Sequence, residues 1–178
     1  MAPFVLLLRG INVGRNKRLA MADLRDLLTD LGYDDVRTHL NSGNAVFVGP
    51  AGKPAAVAAT IQAAISDRLG MSVPSLVLTA AELAAVVRGN PFPERVTDGA
   101  KLMAHLLFAT PTAAARKAFD PVTLDPDNIR VGERVVYQWC AGGLLDAPAV
   151  GPAVIKHWGT DVTARNWNTM ATLAKLTR

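Results

Sequence analysis

FVLLLRGINVGRNK, residues 4–17, opens with five apolar residues, Phe4 to Leu8, and then turns abruptly polar at Arg9 and Gly10. An unbroken apolar run of that length, bounded by turn formers, reads as a strand buried on both faces, and such a strand lies inside a sheet. The segment beyond the run carries Arg9, Gly10, Asn12, Gly14, Arg15, Asn16 and Lys17. Gly10 and Gly14 let the backbone turn tightly and approach a ligand, and the four cations among residues 9 to 18 attract an anion. A central strand feeding a cationic glycine loop predicts a fold and a candidate binding site, but it does not name a reaction.

Outward from that loop, Leu24, Leu27, Leu28 and Leu31 recur at helical spacing, and Gly32 suits the helix C-terminus. Residues 36–40 and 45–48 read as short strands around Asn41-Ser42-Gly43-Asn44, residue types that favour a tight hairpin connection. Lys53-Pro54 opens a second helix with Val57, Ile61, Ala64 and Ile65 as its core stripe, residues 73–78 read as a strand, and Thr79-Ala-Ala-Glu82 is a capping box for a third helix. The order β-α-β-β-α-β-α is that of a ferredoxin-like unit with one helix added, and its first strand is internal.

Asn90-Pro91-Phe92-Pro93 ends that unit, because proline cannot continue a helix and restricts the residue before it. Beyond a connector, residues 102–109 form a second apolar strand and residues 113–119 a helix. Residues 129–131 and 134–139 flank a two-residue Gly132-Glu133 turn, residues 150–158 form a helix, and Thr163 caps a last helix with Trp167, Met170, Ala171 and Ala174 on one stripe. The expected class is therefore α+β, two ferredoxin-like βαββα halves, a duplication with a degenerate second half. The expected organisation is a first subdomain over residues 1–89, a connector over 90–100, and a second subdomain with C-terminal helices over 101–178.

Composition narrows the classes. The chain of 178 residues is half hydrophobic, long enough to bury a sizeable core in one domain or two small ones, and not disordered. Its net charge of +4 is spread evenly, with nine Lys/Arg against seven Asp/Glu in residues 1–89 and ten against eight in residues 90–178, so no basic tail marks a nucleic-acid coat. The single cysteine, Cys140, excludes an internal disulfide and fits a reducing compartment. With no membrane-length apolar run and no cation ahead of the short N-terminal apolar segment, the expected location is the cytoplasm, with no membrane partner.

Gly10-x-x-x-Gly14-x-x-Lys17 lacks the spacing and the hydroxyl of a nucleotide triphosphatase loop. A looser anion site made of backbone amides near the first helix with Arg9, Arg15 and Lys17 survives, set against plain turn glycines and a solvated cationic surface. Ser42 has no nucleophile elbow around it and reads as a turn residue. His39, His105 and His157 are too scattered for a metal pair, so no metal and no cofactor are expected, and His105 inside an apolar strand reads as a hydrogen-bonded core residue. Cys140 reads as an inert buried thiol, and Asp125 and Asp127 as turn formers. Arg165-Asn166-Trp167-Asn168-Thr169 is more polar than a helix cap requires and either ties the C-terminus down or lines a cleft.

With RGINVGRNK at residues 9–17, MADLRDLL at 21–28, SGNAVF at 42–47, NPF at 90–92 and TARNWNTMATL at 163–173, the chain resembles the family called domain of unknown function 1697, from its first strand to its last helix. The resemblance implies a bacterial, cytoplasmic α+β protein and assigns neither an activity nor catalytic residues. Arg15 stands where that family's pattern has the second glycine of a pair.

The leading expectation is a protein that holds a small anionic ligand, a nucleotide or phosphorylated metabolite, in a cleft between two α+β lobes. Its candidate ligand-binding residues are Arg9, Asn12, Gly14, Arg15 and Lys17 of the first loop, Ser42 and Asn44 of the following turn, and Arg165, Asn166 and Asn168 near the C-terminus. Nucleic-acid binding through open ferredoxin-like sheets and a structural or regulatory homodimer without catalysis are the other readings. No residue set supplies nucleophile, base and orienter together, so the catalytic residues are unknown and enzymatic activity is left open.

Overall fold

The computed structural model of the chain describes residues 1–14 and 17–177. It divides into two compact units, Met1–Ala84 with Thr172–Arg178, and Ala85–Ala171.

In the first unit the apolar run becomes β1 (Ala2–Leu8), followed by α1 (Met21–Asp30), β2 (Asp34–His39), β3 (Asn44–Gly49), α2 (Pro54–Leu69), β4 (Ser75–Thr79) and the start of α3 (Ala80–Arg88). The strands form an antiparallel sheet in the order β2-β3-β1-β4, so β1 is internal, as its composition requires. Its register sets Phe4 opposite Phe47 on β3 and Leu6 opposite Val77 on β4. One alternation of β1, Phe4, Leu6 and Leu8, packs with Leu24, Leu27 and Leu28 of α1 and Ile61 and Ile65 of α2. The other, Val5 and Leu7, is equally buried. The capping box forms at α3 as its sequence predicts, with the Glu82 N–H donating to Thr79 Oγ1 at 3.1 Å and the Thr79 N–H to Glu82 Oε2 at 2.8 Å.

The second unit repeats the plan. After a 3-10 turn at Pro93–Asp98 come β5 (Leu102–Leu107), α4 (Ala113–Ala118), β6 (Ile129–Val131), β7 (Val135–Trp139), α5 (Val150–Trp158), β8 (Val162–Asn166) and α6 (Trp167–Leu176). The sheet order β6-β7-β5-β8 is that of the first unit with each strand number raised by four. The chain is therefore α+β with two similar halves, each a four-stranded antiparallel sheet with interleaved helices. The core on the helical side joins Leu107, Ile129 and Val136 of the sheet to Val150, Val154 and Trp158 of α5.

Two elements differ from the sequence reading. Residues 162–166 are a strand rather than a helix start: β8 pairs antiparallel to β5, Thr163 opposite Leu106 and Arg165 opposite Ala104. The helix begins only at Trp167, where Asn166 Oδ1 accepts the Thr169 N–H at 3.0 Å, so the cap is Asn166 and not Thr163. The physical reason is that β5 is buried along its whole length and its second edge needs hydrogen-bond partners, which β8 supplies. The connection between β6 and β7 is also one residue longer than expected, residues 132–134, because Arg134 leaves the strand: its carbonyl accepts the Leu107 N–H at 3.0 Å and its guanidinium donates to the Phe108 carbonyl at 3.0 Å.

Candidate functional site

Residues 9–20 leave β1 under tight control. The Leu8 N–H donates to the Gly43 carbonyl at 2.9 Å and the Arg9 N–H to the Pro74 carbonyl at 3.0 Å, so the end of the strand is clamped from both sides. The loop then turns back at Asn12, which sits at φ 54°, a left-handed conformation that asparagine tolerates better than most residues. Its side-chain amide donates to the Leu19 carbonyl at 2.8 Å and the Asn41 carbonyl at 2.6 Å, and its Oδ1 accepts the Leu19 N–H at 2.9 Å. One side chain thus fastens the loop to itself and to the turn after β2. Lys17 Nζ donates to the Ser72 carbonyl at 2.9 Å, which ties the far side of the loop to the segment before β4.

The turn beneath is shaped to match. Gly43 has φ +78°, and a Cβ added there would lie 2.6 Å from Leu8 Cβ and 2.8 Å from Ile11 Cδ1, so both conformation and contact require glycine. Asn44 is fully buried, and its amide donates to the His39 carbonyl and to Ser42 Oγ, each at 2.9 Å. Buried Ile11 and Leu19 anchor the loop in the core of the first unit.

Above this platform lies a depression of about 490 Å³ lined by Asn12, Gly14, Arg18, Ala20, Met21 and Asn41 among others. The start of α1 opens into it. Ala20 is the N-cap residue, extended at φ −70° and ψ 140°, and it has no side-chain oxygen to cap the helix. A helix start carries backbone N–H groups without intrahelical partners and a partial positive charge. Asp23 in the first turn offsets part of that charge. Arg18 is exposed and has no hydrogen-bond or ion-pair partner among the described residues. A helix start beside a cation forms a site that can accept a small anion.

The candidate residues from sequence distribute unevenly. Asn12 and Gly14 line the depression, Lys17 faces Ser72, Arg9 is half-buried at the end of β1, and Ser42 and Asn44 build the turn below. Arg15 lies outside the described residues. Arg165, Asn166 and Asn168 belong to the second unit. There Arg165 is buried and donates to Thr163 Oγ1 and the Ala164 carbonyl at 2.9 Å, and burial lowers its pKa to about 10. Asn166 caps α6, and Asn168 packs so closely on Gly99 that a Cβ there would strike its Oδ1. Arg18, Ala20, Met21 and Asn41 are not among the candidates from sequence. Their one legible signal is Arg18-Leu19-Ala20-Met21, a helix entry without Ser, Thr, Asp or Asn.

Three of the remaining candidate groups are occupied structurally. His157 stacks on Phe119 at 4.3 Å, Asp125 accepts both its hydrogen bonds from the Asn128 amide, and Cys140 is buried, its thiol pKa pushed up by burial and then by Asp125. Among the described residues no cluster of three His, Cys, Asp or Glu could hold a metal, and no helix is long and apolar enough to cross a membrane.

Comparison with known proteins places this site in context. Residues 1–137 match the family described as Protein of unknown function (DUF1697). The fold is similar to that of the conserved bacterial protein SP0830 from Streptococcus pneumoniae, with a TM-score of 0.71 over 99% of this chain and 98% of that one, at 19% sequence identity. No curated protein matches the sequence.

Proposed function

The chain belongs to the DUF1697 family of proteins of unknown function, and we propose that it binds a small phosphate-bearing ligand, a nucleotide or phosphorylated metabolite, in the depression at the start of α1. The observation that carries this reading is that the start of α1 and Arg18, unpartnered among the described residues, line the same depression. A volume of about 490 Å³ suits a ligand larger than a bare anion. Asn12 serves as the positioning residue, since its amide holds the loop that forms one wall.

Two substitutions test the site from opposite directions. Ala20→Asp gives α1 the cap it lacks and puts a negative charge where the anion would sit; it should stabilise the fold by about 1 kcal/mol and abolish binding. Arg18→Ala should leave the melting temperature unchanged and weaken binding by about tenfold or more, the worth of a hydrogen bond to a charged group. The measurement is calorimetric titration with inorganic phosphate, pyrophosphate and AMP. Parent-like affinity in both variants, or no response of the parent to any of the three, sinks the reading. Oligonucleotide binding with a steep salt dependence would favour a nucleic-acid surface instead.

A further inference from the structure

We propose that His105 is an acid-sensitive latch that keeps α5 seated on the second sheet only while its imidazole is neutral. His105 lies on the internal strand β5, is 5% exposed, and shares its face of the sheet with Leu107, Val136 and Gln138. Gln138 Nε2 donates to the Pro148 carbonyl at 2.8 Å, so its Oε1 is the atom left to face His105 Nε2, also at 2.8 Å. An amide oxygen only accepts, so Nε2 carries the proton of the neutral ring and Nδ1 keeps its lone pair. That Nδ1 is buried and has no hydrogen-bond partner among the described residues.

Nδ1 is directed at the first turn of α5, since a Cβ placed on Gly151 would lie 3.9 Å from it. Protonation there creates a buried cation with a donor that has no acceptor, next to the positive end of a helix, and each of those three effects opposes it. Among the described residues no carboxylate bonds Nδ1, and the one offset is the Gln138 hydrogen bond at Nε2. Arg130 and Arg165 lie on the opposite face of the sheet with Tyr137, whose pKa burial pushes up to about 12, and Lys156 and His157 are exposed in the last turn of α5. Arg116 of α4 sits over Trp158 and donates to the Gly132 and Glu133 carbonyls. Burial accordingly pushes His105 below its ordinary 6.5, only partly countered by the Gln138 hydrogen bond.

The depressed value fixes the sign of the pH dependence. The unfolded or undocked state takes up the proton first, so the latch is fully closed above about pH 6.5 and its contribution is lost as pH falls through the folded value, about tenfold per pH unit in the opening equilibrium. The element that moves is α5 with the loop ahead of it, held through Gln138 and Pro148, and its release uncovers Val150, Val154 and Trp158.

The test is hydrogen exchange of the whole chain between pH 7.5 and 5.0, corrected for intrinsic rates. The α5 amides should lose protection below pH 6.5, by at most about tenfold per pH unit, while β1 amides hold theirs, and His105→Gln, which keeps a donor toward Gln138, should remove the pH dependence. Equal pH dependence in parent and variant, or unchanged α5 protection in the parent, overturns the proposal. Should the variant fail to fold, imidazole nitrogen shifts of the parent decide: Nε2–H at neutral pH and titration below 6.5 sustain the latch, and Nδ1–H or titration at or above 6.5 overturns it.

Discussion

From β1 to α1 the chain takes twelve residues, 9–20, and reaches a helix whose N-cap residue Ala20 makes no side-chain cap, whereas from β5 to α4 it takes five, 108–112, and Thr112 Oγ1 accepts the Ala115 N–H at 3.1 Å. The two connections occupy the same place in the same topology. The short one is complete in itself: its helix start has a cap, and its backbone is tied down by the Phe108 N–H on the Asp161 carbonyl and the Ala109 N–H on Thr160 Oγ1. The long one uses its hydrogen bonds to hold its own shape, through Asn12 and Lys17, and sets the start of α1 beside a depression. A duplicated scaffold can thus keep one copy of a loop as a plain connection while the other is shaped around an opening. Strain points the same way, since Asn12, Lys17 and Leu40, three of the four non-glycine residues with positive φ among the described residues, belong to this loop and the turn below it.

The largest effects should come from the strand ends where the two connections depart. Leu8 and Leu107 are both 1% exposed at the last position of their internal strands. Leu8→Ala and Leu107→Ala should each cost about 2 to 5 kcal/mol in urea unfolding, through lost burial and the cavity left behind. A loss below about 1 kcal/mol in one of them would break the equivalence of the halves at the ends of their internal strands.

Next comes the residue with no counterpart in the second half. Asn12→Ala leaves the Leu19 N–H and the Leu19 and Asn41 carbonyls without their shared partner, and should cost about 1 to 3 kcal/mol together with the phosphate response. Retention of both stability and binding would mean that the loop keeps its shape without this side chain.

The smallest effects sharpen the contrast by their sign. Thr112→Ala removes the cap of α4 and should destabilise by about 1 kcal/mol in thermal melting without creating a phosphate response, whereas capping α1 through Ala20→Asp should stabilise and remove one. Shifts of the same sign in the two variants would show that the start of α1 is already satisfied.

Much of this is legible in residue order. The apolar run at Phe4–Leu8 requires an internal strand, the Asn41–Asn44 turn and the Thr79–Glu82 capping box are chemical signatures of local geometry, and His105 and Cys140 announce themselves as buried by their apolar neighbours. The family resemblance is carried by blocks that run from the first strand to the last helix; the family match covers residues 1–137, and the similar structure of SP0830 shows the fold over the whole chain.

The sequence by itself determined the elements whose signals are local, because side-chain periodicity, caps and turn residues act within about one turn or one hairpin. Tertiary structure alone decided the rest. Val162–Asn166 became a strand because β5, some sixty residues earlier, offered a buried edge in need of hydrogen bonds, which outweighs the weak local preference of Thr, Ala, Arg and Asn for a helix start. Asn12 became a staple because Asn41, 29 residues away, brought its carbonyl within 2.6 Å, and no spacing in the sequence records a partner that exists only once the sheet has formed. For the same reason Arg165, as polar on paper as Arg18, is buried against Thr163 while Arg18 lines the opening: their exposure was set by which surfaces the two sheets covered.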